Sequence, residues 1–144
     1  MDWLEIRTED DAECLMERVY KFHDWYVAGF SYDPLAQSKE NSLSLSRYKV
    51  DVDALTVVFR WDHKRKDGTW PEVRLEFGGL HVFRFSNSND PDPLWGCAIK
   101  KTNGNCWLFA DNASIDFGKE ELAYPETIVS NILVVCEEIR WKAD

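Results

Sequence analysis

Apolar residues recur at Ala12, Leu15, Met16, Val19 and Phe22, the three-and-four spacing of one helical face. Thr8 stands just before them and is followed by Glu9, Asp10 and Asp11. A hydroxyl at the N-cap and acids in the first turn suit the positive end of a helix dipole. The spacing predicts a helix over 9–22. Trp3, Leu4 and Ile6 precede it and are expected to pack on the same core.

From Trp25 the period falls to two. Trp25, Val27, Gly29 and Ser31 alternate with Tyr26, Ala28, Phe30 and Tyr32, which reads as a strand. Asp33-Pro34 ends it. Residues 33–42 are polar and read as a loop, and 42–50 (SLSLSRYKV) as a weak edge strand. Ala54–Trp61 is a stronger strand, with Leu55, Val57 and Phe59 opposed to Thr56, Val58 and Arg60. Lys66-Asp67-Gly68 marks a turn. Thr69–Phe77 then sets Val73, Leu75 and Phe77 on one face, and Pro71 marks an edge or a strand start. Gly78-Gly79 is a tight turn or a bulge, after which Leu80–Phe85 continues as strand.

Residues 87–93 (NSNDPDP) read as a loop. Trp95–Lys101 and Cys106–Asp111 flank Asn103-Gly104, the strongest hairpin signal in the chain. A two-residue turn there pairs Thr102 with Asn105. In Ile128–Trp141 the residues Ile128, Ile132, Val135 and Ile139 suit a helical face, but Val134-Val135 and the flanking isoleucines favour a strand. The expected fold is therefore α+β: one N-terminal helix packed on a curled, mostly antiparallel sheet of about seven or eight strands. With no linker, repeat or low-complexity tract, residues 1–144 read as a single domain.

Composition adds a core and a charge. The 144 residues include 7 Trp, 8 Phe and 5 Tyr. Rings of this size bury enough apolar area to stabilise a sheet without disulfides. The formal net charge is -9, which disfavours nucleic acid and anionic membrane and suits solubility or a basic protein partner. Residues 1–24 alone hold eight acids against three bases. No apolar stretch reaches the roughly 20 residues of a membrane span. The acidic N-terminal residues lack an apolar signal core, so a cytoplasmic location is expected. Cys14, Cys97, Cys106 and Cys136 form no Cys-x-x-Cys pair and read as reduced thiols. In the two-residue-turn register Cys97 faces residue 110 and Cys106 faces residue 101, so these two cannot bridge.

Candidate chemistry is sparse. His23, His63 and His81 lack metal-ligand spacing, and no cofactor is implied. In Phe22-His23-Asp24 a carboxylate could orient an imidazole for acid-base work. Neighbours on a strand point to opposite faces, however. The simpler reading has Asp24 accepting from backbone amides at the helix-to-strand junction and His23 in a polar niche. His63 sits in a charged turn. His81 would face Glu76 if Gly78-Gly79 were a tight turn. Asp111, Ser114 and Asp116, like Asp90 and Asp92, lack the spacing of a calcium loop. No phosphate loop or nucleophile elbow occurs. Trp61, Trp70, Trp95 and Trp107 lie near strand ends or hairpins, either closing the core or forming an aromatic binding face.

Trp3 and Ile6, Phe22-His23-Asp24, Leu75 and Phe77, and Ile132, Ile139 and Trp141 together resemble a pattern found in small bacterial proteins of poorly known function. The resemblance spans nearly the whole chain in short elements, with Trp25 where that group carries a small residue. Some Phe-His-Asp proteins of this shape look like immunity proteins of toxin systems. The resemblance implies an immunity role; joined to the acidic charge, it gives the expectation of a non-enzymatic inhibitor that occludes a basic toxin. The competing expectations are a small-ligand protein or enzyme with a pocket containing His23 and Asp24, and an oligomerising module using its outer strands.

Overall fold

The structure, a computed structural model, describes residues 2–33, 53–86, 94, 96–111, 122–125, 128 and 130–144. The expected loops at 34–42 and 87–93, the edge strand at 42–50 and the acidic positions 90, 92, 114 and 116 lie outside the described residues, as does Trp95. In chain order the elements are β1 (Leu4–Ile6), α1 (Glu9–Arg18), β2 (Trp25–Asp33), β3 (Ala54–Trp61), β4 (Glu72–Phe85), β5 (Ala98–Lys101), β6 (Trp107–Ala110) and β7 (Ile132–Ala143). The described strands form one seven-stranded sheet in the order β2-β3-β4-β7-β6-β5, with β1 also on β7. All pairings are antiparallel. One helix on a curled antiparallel sheet is the α+β architecture expected.

The helix starts as its sequence dictates. Thr8 Oγ1 accepts from the Asp11 N–H at 3.2 Å, and the Asp11 carboxylate accepts from the Thr8 N–H at 3.0 Å. This reciprocal pair satisfies donors that the first turn cannot. Backbone N–H groups of Arg7 and Thr8 hold the Asp11 carboxyl below its ordinary range. Ala12, Leu15 and Met16 are buried while Glu9, Asp10, Asp11, Glu13 and Glu17 face water.

The helix ends four residues earlier than the spacing predicts. Tyr20, Lys21 and Phe22 have φ of +51, +54 and +58°, so the chain leaves α1 through one left-handed turn. The Phe22 N–H donates to Val19 C=O and the His23 N–H to Tyr20 C=O, both at 2.9 Å. L-residues there cost roughly 1–2 kcal/mol each. Burial of Phe22 offsets part of this: its ring is fully buried, stacked 4.2 Å from Phe59 and edge-on to Trp25 at 5.5 Å. Burying such a ring contributes roughly 1.5–3 kcal/mol. The segment after residue 93 supplies the rest. Cys97 N–H donates to Lys21 C=O, Asp24 N–H to Leu94 C=O and Leu94 N–H to Trp25 C=O, each contributing about 0.5–1.5 kcal/mol.

Two long strands shape the sheet. β4 is one strand through Gly78-Gly79, not two strands joined by a turn. At Gly79 φ is +67°, and a Cβ there would come within 2.6 Å of the Glu137 carboxylate. Both β4 and β7 change their inward face at this level. Phe77 and Ile139 face the main core, and so do Leu80, Cys136 and Val134 beyond the kink. The first part of β4 pairs with β3, and the second part runs beside β7 only. On its other side β7 carries β6 along Leu133–Cys136 and β1 along Ile139–Trp141. The sheet thus curls about the β4–β7 pair, and α1 lies against β1 and β5. The core fills the curl with Phe22, Phe59, Phe77 and Phe109. A second cluster, Leu108, Ala110, Ile128, Leu133 and Val135, packs on the reverse of β6 and β7.

The β5–β6 hairpin differs from expectation by one residue. Lys101 pairs with Trp107, so the turn holds three residues, and Asn105 rather than Gly104 is left-handed, at φ +62°. A type I turn followed by a left-handed residue is the usual three-residue solution. Cys97 and Cys106 remain out of register, and all four cysteines are free thiols.

Candidate functional site

The left-handed turn brings His23 and Asp24 together. Asp24 has φ +67°, which turns its carboxylate back on its neighbour: His23 Nδ1 lies 3.1 Å from Asp24 Oδ2. The two side chains therefore touch, against the strand-based expectation. The carboxylate serves His23, and the backbone N–H of Asp24, not its side chain, ties the junction to Leu94. Both side chains are about half exposed, so His23 is not sunk in a niche.

The described tryptophans do not form one face. Trp107 is buried in the core, with Lys101 Nζ over its ring at 4.4 Å. Trp70 is half-buried beneath Arg60 and Lys64 at 5.9 and 5.2 Å. Trp61 is half-buried, tilted against Trp25 at 5.5 Å and edge-on to the exposed His63 at 5.7 Å. The Trp25 indole N–H is buried with no acceptor among the described residues. Trp3 and Trp141 are likewise met by cations of this chain: Arg140 and Lys142 on Trp3, Arg18 on Trp141. A ring already faced by an internal cation is a poor anchor for a partner. Trp61 is linked to the His23–Asp24 turn through its strand pairing with Trp25.

Tyr20 and Tyr124 are also exposed, but a contiguous exposed aromatic cluster lies elsewhere, on residues the sequence pattern hides. The register of β2 against β3 shifts between Val27 and Gly29, making Ala28 the extra residue of a bulge. Val27 lies opposite Phe59, and beyond the bulge Phe30 lies opposite Val57 and Tyr32 opposite Leu55. Residues facing each other across a ladder share a face. The bulge therefore moves Phe30 and Tyr32 onto the core-side face, where strict alternation had set them against Trp25 and Val27. They stand at the open end of the curl, each 50% exposed, with Phe85 at 37%. Phe30 meets Phe85 at 5.1 Å and Phe83 edge-on at 6.0 Å. An isolated glycine inside a strand, here Gly29, is the sequence signal for such a bulge.

Acids border this patch. Tyr32 donates its hydroxyl to Asp53 Oδ2 at 3.2 Å. Desolvation pushes the phenol upward, aided by that hydrogen bond and by the charges of Asp53 and Asp33. Asp53 is itself fixed, accepting from Leu80 N–H through Oδ1 at 3.0 Å and from Gly79 N–H through its carbonyl at 3.1 Å. The kink in β4 thus holds the acidic rim beside the aromatic cluster. Among the described residues no three His, Cys, Asp or Glu side chains gather to hold a metal ion. No helix among them is long and apolar enough to cross a membrane. The Asp111–Ser130 contact is structural: Asp111 Oδ1 accepts from Ile132 N–H at 3.1 Å and from the Ser130 hydroxyl.

Compared with known proteins, the chain matches no family model, no curated protein and no solved structure.

Proposed function

We propose that this chain is a non-catalytic interaction protein that occludes a basic protein partner, and that the partner docks on Phe30, Tyr32 and Phe85. The observation that carries the reading is the contiguity of these exposed rings beside Asp33 and Asp53, in a chain whose described tryptophans are buried, half-buried or faced by its own cations. Aromatic anchors dominate binding energy, and charge at the rim mainly raises the association rate. The resemblance to immunity-type proteins supports a toxin as that partner, bound in the cytoplasm before it acts.

The test is retention of a partner from the native cell by the wild type and by the double variant Phe30→Ser, Phe85→Ser. A basic protein should be held by the wild type and released by the variant, with unchanged thermal unfolding. Association should slow as salt rises from about 0.05 to 0.5 M. Equal retention by the variant would remove the patch from the reading, and an acidic partner would remove its electrostatic part.

The contact of His23 with Asp24 favours a second reading, a small-ligand site at the left-handed turn. That reading predicts a ligand whose binding is lost in His23→Ala and kept in the Phe30, Phe85 double variant.

A further inference from the structure

Three side chains that no sequence motif connects converge on the outer side of the β4 kink. Cys106 Sγ lies 4.0 Å from His81 Nε2, and the Glu137 carboxylate lies 3.5 Å from the same nitrogen. Each is placed by a distinct backbone device. The register of β4 against β7 shifts between Leu80 and Val82, so His81 is the extra residue of a bulge, a device that re-aims a side chain. Gly79 leaves the space that the Glu137 carboxylate fills, since a Cβ there would stand 2.6 Å from it. The three-residue turn fixes Cys106, whose N–H donates to Thr102 Oγ1 at 3.1 Å. His81, which a tight turn would have set against Glu76, instead meets Cys106 and Glu137, and Glu76 pairs with Arg140 at 2.7 Å.

The other thiols lack this company. Burial pushes the Cys97 and Cys136 thiols well up, with the charge of Asp111 adding to the first and those of Cys106 and Glu138 to the second. Cys14 is exposed on the acidic face of α1. Cys106 is half-buried and in contact with His81, whose side chain is about half exposed. A thiolate, not a thiol, is the nucleophile in sulfur chemistry, and an imidazole in contact with it is the ordinary base.

We propose that Cys106, His81 and Glu137 form a thiol modification site that takes small hydroperoxides. His81 Nε2 accepts the thiol proton, and the Glu137 carboxylate steadies the resulting imidazolium. The thiolate sulfur attacks one peroxide oxygen, forming the S–O bond as the O–O bond breaks. The departing alkoxide, or hydroxide when the substrate is hydrogen peroxide, takes the proton from His81 and leaves as an alcohol or water. Sulfur is oxidised by two electrons to the sulfenic acid, and the peroxide is reduced by two. The site lies on the reverse of the sheet from Phe30 and Tyr32, so it stands or falls apart from the docking surface.

The test exposes the reduced whole chain to hydrogen peroxide at neutral pH and traps sulfenic acid with a dimedone-type probe. Peptide mass spectrometry then gives a labelling rate for each cysteine. Cys106 should label at least about tenfold faster than Cys14, a conservative share of what a positioned base supplies. His81→Gln should bring it down to the Cys14 rate, and Glu137→Gln should lower it partway. Equal rates at Cys14 and Cys106 in the wild type would overturn the proposal whatever the variants do. So would an unchanged Cys106 rate in a folded His81→Gln protein.

Discussion

At the scale of single residues, the run from Tyr20 to Asp24 sets the terms for the half-exposed His23–Asp24 pair. A right-handed continuation of α1 would also have put Phe22 on the apolar stripe, because three-residue spacing does not report the hand of a last turn. That is why the residues of the turn were legible in the sequence and its geometry was not. The same geometry makes a counterintuitive prediction. Lys21 is exposed and has φ +54°, a conformation glycine adopts without the Cβ penalty. Lys21→Gly should therefore raise stability by about 1 kcal/mol in a denaturant melt, although glycine usually destabilises. Asp24→Ala should lower it by about the same amount, while Asp24→Gly should stay near the wild type. A loss of stability in Lys21→Gly would show that the turn is not left-handed. The contact between His23 and Asp24 was missed for a related reason: the opposite-face rule for neighbours holds on strands, and Asp24 sits just before one.

At the scale of elements, alternation located strands well where each residue counted once. Ala54–Trp61 is a strand to its last residue, and Ile132–Ala143 is a strand although its spacing also fitted a helix. Alternation failed at bulges, where one extra residue inverts every side chain beyond it. The bulge at Ala28 concealed the aromatic patch, and the one at His81 concealed the contact with Cys106. β1 escaped notice because Leu4–Ile6 is too short for a period to show. Two glycines separate these cases by experiment. Gly79→Ala combines φ +67° with a Cβ 2.6 Å from Glu137, and should lower stability by about 1–2 kcal/mol. Adding Glu137→Ala should recover only the steric share. Gly29 has no atom within 4 Å of where its Cβ would lie, so Gly29→Ala should change stability by less than about 0.5 kcal/mol or raise it. Thermal or denaturant unfolding of the three variants decides between space and backbone conformation.

At the scale of the whole molecule, the fold class followed from element order, whereas the order of strands within the sheet did not. Nothing local records that residues 139–141 lie beside residues 4–6. The described aromatic surface was legible only as abundance: burial and the chain's own cations decide which rings stay exposed and uncovered. Thiol access offers a global check of the packing. Cys97 and Cys136 are buried, Cys14 is exposed and Cys106 intermediate. A chromogenic disulfide reagent should therefore titrate two thiols in the native protein and four in denaturant. Four at once without denaturant would mean that the core around Phe109 and Leu133 opens readily. The central place of β7 also bears on the order of synthesis. β1, β4 and β6 all take residues 132–143 as their neighbour, and each leaves the ribosome before that segment does. Translation proceeds at about 5–20 residues per second, so the earlier strands wait for seconds with bare edges that could recruit another chain. Of the described strands β7 is made after all the others and joins them, and the time before it arrives is when their edges are most open to misassembly.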